Sequence, residues 1–334
     1  MSLRQIAEMT GLSIATVSHA LNGTRGVSSE NKVKVLKAAE EIGYRPNMAA
    51  KTLKTNKSKT IALVIPRVEP GKGTNYFYMD IMAGVHVRLN ENKYSLIIGT
   101  YQESTKEGSI ISLDILKNRW IDGLLVVPNS MQENCIEQIV KSNVPFVLID
   151  REIKDSPFDF VISNNEKGSF EAIKLMYEKG RRKIAFVGSM LRTSASYERF
   201  IGYKKCIAEY NLPESDKFVV LNDQLSIRNG IKSAEYLLDQ GAEGIFVSDN
   251  TLTLGVFRYL KMKKVRFSEE ISLIGYDDYP WMDDVEPSIT TVKQSPFEMG
   301  YKAADILLSR LQNPSIKERK FFILETELIC RKSH

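Results

Sequence analysis

The sequence predicts a three-helix head containing a helix-turn-helix, a short hinge helix, and a two-lobed α/β body built on parallel sheets. Three observations carry that expectation. Positive charge is concentrated in the first sixty residues, the same stretch holds closely spaced helix starts and stops, and from Thr60 onward short apolar runs recur with helical segments between them. A chain of 334 residues is long for one domain and suggests two or three.

Composition bounds the class. With 43% apolar and 26% charged residues the chain reads as globular. No run of 18 apolar residues suggests a membrane span, and Met1-Ser2-Leu3-Arg4-Gln5-Ile6 shows no basic stretch leading into an apolar secretory core. Cys135, Cys206 and Cys330 are few, odd in number and far apart, which fits reduced thiols better than a disulfide framework or a cysteine zinc site. A cytoplasmic protein is expected. Ten of the 46 basic residues but only four of the 41 acidic ones fall in residues 1–60, leaving the head at +6 and the remainder at −1. A basic head on a near-neutral body is the footprint of polyanion binding.

The head's elements follow from its start and stop signals. Ser2 and Gln5 form a capping box that opens a first helix, in which Leu3, Ile6 and Ala7 share a face up to Met9. Gly11 supplies a tight turn, and Ser13 caps a second helix running through Val17 to Leu21. A small residue, a turn glycine and a β-branched residue at Ala7, Gly11 and Val17 suit two helices crossing sharply. Asn22-Gly23 ends the second helix. A third begins after Ser28, carries Val33, Leu36, Ala39 and Ile42 at helical spacing, and stops at Gly43 before Pro46. In such a motif the second helix enters the major groove, so Ile14, Ala15 and His19 are the expected base readers. Thr16, Ser18 and Asn22 are short hydrogen-bonding side chains suited to phosphate oxygens. After Pro46, Asn47 caps a helix of about two turns, too short to be stable alone, before the polar stretch Thr55-Asn56-Lys57-Ser58-Lys59.

The body's apolar runs are Thr60–Pro66, Tyr94–Gly99, Gly123–Val127, Pro145–Asp150, Lys183–Gly188, Phe218–Leu221, Gly244–Val247 and Ile271–Gly275. Their spacing, with helical segments between, describes βαβ units and parallel sheets. So many strands overfill one sheet, hence two lobes. Ligands of such sheets bind beyond the carboxyl ends of the strands, and Asp150, Asp249-Asn250 and Asp277-Asp278 stand at those ends. Three carboxylates converging on one face favour a hydroxyl- or amine-rich ligand.

Several segments together resemble the LacI-type bacterial repressors. In the head these are Ile6-Ala7-Glu8, Gly11-Leu12-Ser13, Ala15-Thr16-Val17-Ser18, Asn22-Gly23, Val27-Ser28 and Gly43-Tyr44-Arg45-Pro46-Asn47. In the body they are Gly180-Arg181-Arg182-Lys183-Ile184-Ala185-Phe186, Ile274-Gly275-Tyr276-Asp277-Asp278, Ile289-Thr290-Thr291-Val292-Lys293-Gln294 and Glu298-Met299-Gly300. The resemblance implies a sequence-specific regulator, most often a repressor, that binds a palindromic double-stranded operator as a homodimer under control of a small-molecule effector. Many members have arginine where this chain has His19, and purine-type repressors have histidine. Ser28 and Asn47 are implied as further phosphate contacts. The hinge helix is implied to fold when paired with its dimer mate in the minor groove, with Leu53 as the wedge, Ala50 allowing close approach and Lys54 beside them.

For the body the resemblance implies the periplasmic-binding-protein fold, with chain crossings between lobes near residues 163, 291 and 322. The expected divisions are a head at 1–46, hinge and linker at 47–59, an N-terminal lobe at 60–163 plus 292–322, and a C-terminal lobe at 164–291 plus 323–334. Phe77 and Tyr78 are implied to stack on the effector, and Asp150, Arg199, Asp249 and Asp277 to hydrogen-bond it. The order Asp249-Asn250 reverses the usual pair, Leu225 stands where an aromatic ring commonly stacks on sugar, and Glu69-Pro70-Gly71-Lys72-Gly73 lengthens the loop before Phe77. A sugar, a sugar phosphate or a purine-like molecule remains open as effector. Some members use a phosphoprotein corepressor, which stands as a further partner of the expected kind. No cofactor and no metal is expected.

Two other classes are weighed. An enzyme on this α/β frame lacks G-x-G-x-x-G after the first strand, a P-loop and G-x-S-x-G, and His86 and His334 have no partner pattern. An acid–base pair of Asp249 and Asp277 would be the remaining catalytic option, and turnover of a metabolite would reveal it. A transported-solute binding protein fits the body alone, but needs an export signal where this chain has a DNA-binding head.

Overall fold

The structure, a computed structural model, describes residues 2–22, 26–44, 57–67, 76–101, 111, 113–118, 120–316 and 318–334. The chain divides into two compact units, Met1–Ser58 and Lys59–His334.

In the first unit, α1 (Leu3–Thr10) opens on the expected capping box. The Ser2 hydroxyl accepts the Gln5 N–H and the Gln5 side chain accepts that of Ser2. It closes at Gly11, whose φ of 67° lies in the left-handed region. Helix α2 (Ile14–Asn22) is capped by Ser13, whose Oγ accepts the Thr16 N–H at 3.0 Å. Helix α3 (Ser29–Glu41) is capped by Ser28 and ends with Gly43 at φ 61°, the Tyr44 N–H reaching back to the Ala39 carbonyl at 2.8 Å. The three pack Ile6, Ala7, Val17, Ala20, Val35, Ala38 and Ala39 into one small core, ringed by Leu3, Leu12, Leu21, Val27, Ile42 and Tyr44.

One expectation for α3 fails. Val33 and Leu36 are 66% and 48% exposed. The inward stripe is Val35, Ala38, Ala39 and Ile42, so Ala39 and Ile42 of the expected face stay inward while Val33 and Leu36 turn toward solvent.

The second unit carries two six-stranded sheets. The first is built from β1 (Thr60–Pro66), β2 (Ser95–Tyr101), β3 (Gly123–Val126), β4 (Phe146–Ile149), β5 (Phe160–Ser163) and β11 (Phe321–Leu324), in the order β11-β5-β4-β3-β1-β2, all parallel. The second is built from β6 (Ile184–Ser189), β7 (Val219–Asn222), β8 (Gly244–Val247), β9 (Ser272–Tyr276), β10 (Thr290–Lys293) and β12 (Glu327–Ile329), in the order β12-β10-β9-β8-β6-β7. Only β12 runs antiparallel, against β10.

Helices cover both faces of each sheet, which is why the strands read as nearly unbroken apolar runs. In the first lobe Ala62, Val64, Leu124 and Val126 face Cys135, Ile136 and Ile139, the last on α5 (Glu137–Lys141). Ile61, Leu63, Leu125 and Val147 face α4 (Tyr76–Glu91) and α11 (Pro296–Gln312). In the second lobe Ile184, Phe186, Phe246 and Tyr276 meet α6 (Asn165–Glu178) and α7 (Ser194–Glu209). Ala185, Val187, Ile245 and Leu273 meet α8 (Ile227–Asp239) and α9 (Asn250–Met262).

The sheets hold the chain slightly longer than the expected crossings. The first keeps it to Ser163 and again to Leu324, and the second releases it only after Lys293. Against 163, 291 and 322, the later two crossings thus fall about two residues downstream. Strands β5, β10, β11 and β12 are not among the expected apolar runs; β10 is mostly Thr and Lys, and β12 is only three residues long. The lobes meet through the Met131 N–H to the Arg192 carbonyl at 3.1 Å, the Glu152 N–H to Ser194 Oγ at 2.9 Å, and the Tyr76 and Tyr279 rings at 5.1 Å.

Candidate nucleic-acid interface and ligand cleft

In the head, packing decides what α2 presents. Val17 and Ala20 point into the core, so the opposite side leaves Ile14, Ala15 and His19 exposed and Thr16 and Ser18 half-exposed. The Thr16 hydroxyl lies 2.8 Å from Ser13 Oγ and so belongs to the cap of α2. Ser28 Oγ likewise accepts the Asn31 N–H at the start of α3. Asn22 closes α2. Asn47, Ala50, Leu53 and Lys54 lie outside the described residues.

In the body, the two sheets share a strand order that reverses once, between β1 and β3 and again between β6 and β8. Such reversals splay the following loops apart and open a crevice at the strands' carboxyl ends. The expected residues sit there. Phe77 and Tyr78 begin α4 and are buried; Asp150 follows β4; Arg199 lies on α7 after β6; Asp249 follows β8; Asp277 follows β9. Asp150 and Asp277 both have left-handed backbone, with φ 67° and 65°. Aspartate tolerates that region better than most residues, yet two such buried positions store strain where the chain turns off its strands.

Arg199 is the hub. Its Nε donates to Asn165 Oδ1 at 2.8 Å, its Nη1 to the Ser248 carbonyl at 2.9 Å, and its guanidinium stacks 3.7 Å from the Tyr276 ring centre. Burial pulls its pKa down, but Tyr276, Asp277, Asp150 and Asp249 outweigh that and hold it above the ordinary arginine value. Asp150 is pushed up by burial, against the pull of Arg151 and Arg199. Arg151 Nε stands 3.3 Å from Asp150 Oδ2, and its Nη2 donates to the Tyr78 hydroxyl at 3.3 Å. Asp249 Oδ1 accepts the Thr251 and Leu252 N–H groups at the start of α9. Burial nevertheless raises its pKa to about 6, Asp277 adding to the rise. Asp277 accepts from Gln294 Nε2 at 2.7 Å and from Asn250 Nδ2 at 3.0 Å. Asp278 is drawn off to Arg331, at 2.7 Å, and to the Thr291 hydroxyl.

Beside this cluster lies a cavity of about 360 Å³, within the size range of small-molecule pockets. It is lined by Phe77 and Asp80 of α4, by Asp277, Asp278 and Tyr279 after β9, and by Lys293–Glu298 where the chain passes from β10 into α11. Of the six expected cleft residues it takes in Phe77 and Asp277; Asp150, Arg199, Asp249 and Tyr78 lie outside its lining. Leu225 is exposed after β7.

Sequence reasoning missed Asn165, Glu198, Tyr279 and Gln294, and had Asn250 in view only beside Asp249. Glu198 stands beside Arg199, accepts from Asn165 Nδ2 at 3.3 Å, and is raised to about 7 by burial, with Glu152 adding to the rise. Gln294 was in view within its motif, but only the fold turns it onto Asp277. Among the described residues no group of three or more His, Cys, Asp or Glu side chains is arranged to hold a metal ion, and no helix is long and apolar enough to cross a membrane.

Residues 2–47 match the profile of bacterial regulatory proteins of the lacI family, and residues 173–334 match that of a periplasmic binding protein-like domain. The HTH-type transcriptional regulator RegA of Clostridium saccharobutylicum is 30% identical over 338 residues, covering 99% of this chain and 98% of the relative. The ribose operon repressor of Haemophilus influenzae is 28% identical, again over 99% and 98%. Among solved structures, a lac repressor dimer bound to operator and an anti-inducer superposes with a TM-score of 0.85 at 21% identity, over 100% of this chain and 98% of the other. A complex of the regulator CelR with cellobiose gives 0.74 at 25% identity, covering all of both chains.

Proposed function

The chain belongs to the LacI family of bacterial regulatory proteins, and from that premise we propose that it represses transcription by binding a palindromic operator as a homodimer, released or tightened by a small effector in the body's cleft. The family assignment itself makes the chain a transcriptional regulator with a DNA-binding helix-turn-helix domain, not an enzyme.

The observation that carries the reading is the division of labour on α2: Val17 and Ala20 build the core while Ile14, Ala15 and His19 are exposed to solvent on the other side. Those three read base edges in the major groove, with Thr16, Ser18, Asn22, Ser28 and Asn47 as phosphate contacts. Ala50, Leu53 and Lys54 enter the minor groove. In the body, Phe77 and Tyr78 offer apolar surface and Asp150, Arg199, Asp249 and Asp277 offer polar partners to a ligand whose binding draws the lobes together. Closure then changes the spacing of the paired hinges and couples ligand to DNA. A relative named as a ribose operon repressor, and a regulator solved as a complex with cellobiose, support a small metabolite as effector. Bacterial cytoplasm is the compartment this role requires.

Selection of binding sites from random duplexes tests the reading. The full chain is expected to enrich one palindrome, and His19→Ala to relax preference at one symmetric pair of positions, a lost base contact costing about 1–3 kcal/mol. Enrichment of no sequence would remove the operator-binding role; an identical profile for the variant would remove His19 as a reader.

A further inference from the structure

Resting on the cleft assigned under Proposed function, we propose that the effector of this chain is a hydroxyl-bearing molecule with a free ammonium group, seated between Phe77 and Gln294 against the Asp80 and Asp277 carboxylates. The first observation is an unanswered acceptor. Gln294 is 5% exposed and lines the cavity, and its Nε2 is spent on Asp277, while its buried Oε1 has no hydrogen-bond partner. A buried acceptor left unpaired is costly and is ordinarily satisfied by a donor. Among the described residues no group donates to it, and a donor carried by a ligand beside Gln294 would answer it.

The second observation is charge. Asp80, Asp277, Asp278 and Glu298 line the cavity against Lys293 alone. Asp278 faces Arg331, which binds it at 2.7 Å, and Lys293. Besides Lys293, the cavity's lining offers the remaining three carboxylates no cation. The adjoining cluster adds Asp150, Asp249 and Glu198, while its Arg199 is committed to Asn165, Ser248 and the Tyr276 ring, and its Arg151 to Asp150, Pro128 and Tyr78. An anionic ligand would enter against this excess. An ammonium supplies three donors and a positive charge, and the Phe77 and Tyr279 rings lining the same cavity suit it. Hydroxyls suit the half-satisfied carboxylates around it.

Calorimetric titration of the full chain at pH 7 uses matched pairs: D-glucosamine with D-glucose, D-galactosamine with D-galactose, 2-amino-1,3-propanediol with glycerol, and the N-acetylated form of each amine. At least one free amine is expected to bind ten-fold or more tightly than both its neutral partner and its N-acetylated form. Asp277→Asn is expected to weaken that amine about ten-fold. Asp80→Asn, on an exposed side chain that places no demand on folding, is expected to weaken it about three-fold. Equal or tighter binding of the neutral sugars, lost on Arg199→Ala, overturns the ammonium while leaving the cleft as the effector site. Amine binding indifferent to both aspartate variants overturns the seat assigned to it, and failure of every amine to bind overturns the proposal outright.

Discussion

Asp249 serves two needs that pull against each other. Its Oδ1 caps α9, which favours any acceptor, while its surroundings resist its charge and raise its pKa to about 6 from a usual value near 3.8. A carboxyl whose folded pKa is raised contributes stability that is present below its unfolded pKa and is lost as pH rises through the folded one. At pH 7–8 the ionised group is therefore a burden that an amide would not carry, and asparagine caps helices as well as aspartate does. Asp249→Asn is expected to stabilise the ligand-free protein by roughly 1–2 kcal/mol at pH 8, with the gain fading below pH 6 and absent near pH 4. Urea unfolding across that range measures it, and a gain independent of pH, or a loss at pH 8, contradicts the assignment of the strain to this carboxylate. The positions of Asp150, Asp249 and Asp277 were legible because each directly follows an apolar run, and a polar residue there marks a strand's end. Gln294, Glu198 and Asn165 were not, because their meaning comes from contacts with residues far away in sequence. Asn165 touches Arg199 and Tyr276 across 34 and 111 residues of chain, a distance no local pattern records.

Between elements, close approach is set by glycines at helix crossings. A Cβ on Gly300 of α11 would stand 2.2 Å from the Ile81 carbonyl oxygen of α4, and one on Gly84 of α4 would stand 2.0 Å from the Phe297 carbonyl oxygen of α11. Both obstacles are backbone, so the helices themselves must part. Phe77 and Asp80 on α4 and Phe297 and Glu298 on α11 line the cavity, and the crossing therefore fixes its width. Gly300→Ala is expected to cost about 1–3 kcal/mol, as overpacking does, and to weaken effector binding with it. Melting temperature and ligand affinity are the two readings; an unchanged affinity would detach the cavity's shape from this crossing. The same scale shows where periodicity misleads. In α3, Val33, Leu36, Ala39 and Ile42 share one helical stripe in sequence, yet Val33 and Leu36 face solvent, since the inward stripe is Val35, Ala38, Ala39 and Ile42. In the body, buried strands were legible as apolar runs, whereas β11, with Phe321, Phe322 and Ile323 half-exposed on a sheet edge, and the Thr-rich β10 were not.

For the whole molecule, the uneven charge makes its own demand. The +6 of residues 1–60 draws any duplex through phosphates and releases counterions, so affinity should fall steeply with salt, by about 10³-fold or more between 50 and 200 mM if six or more phosphates are engaged. That term is blind to sequence. On the proposed reading, preference for an operator comes from Ile14, Ala15 and His19 in one groove and from Leu53 in the other. On the same reading the segment from Asn47 acts as a two-turn hinge, and a helix that short has too few hydrogen bonds to stand alone, so its folding would be tied to a partner hinge and to a duplex that accepts the wedge. Leu53→Ala removes the wedge without removing charge. Affinity for the selected operator is then expected to fall at least ten-fold, affinity for random duplex to change little, and the slope against salt to stay the same for both. Fluorescence anisotropy over a salt series separates these quantities. Equal losses on operator and random DNA would mean that Leu53 contributes only to folding or to general contact, and a changed slope would mean that its loss had moved the basic residues instead.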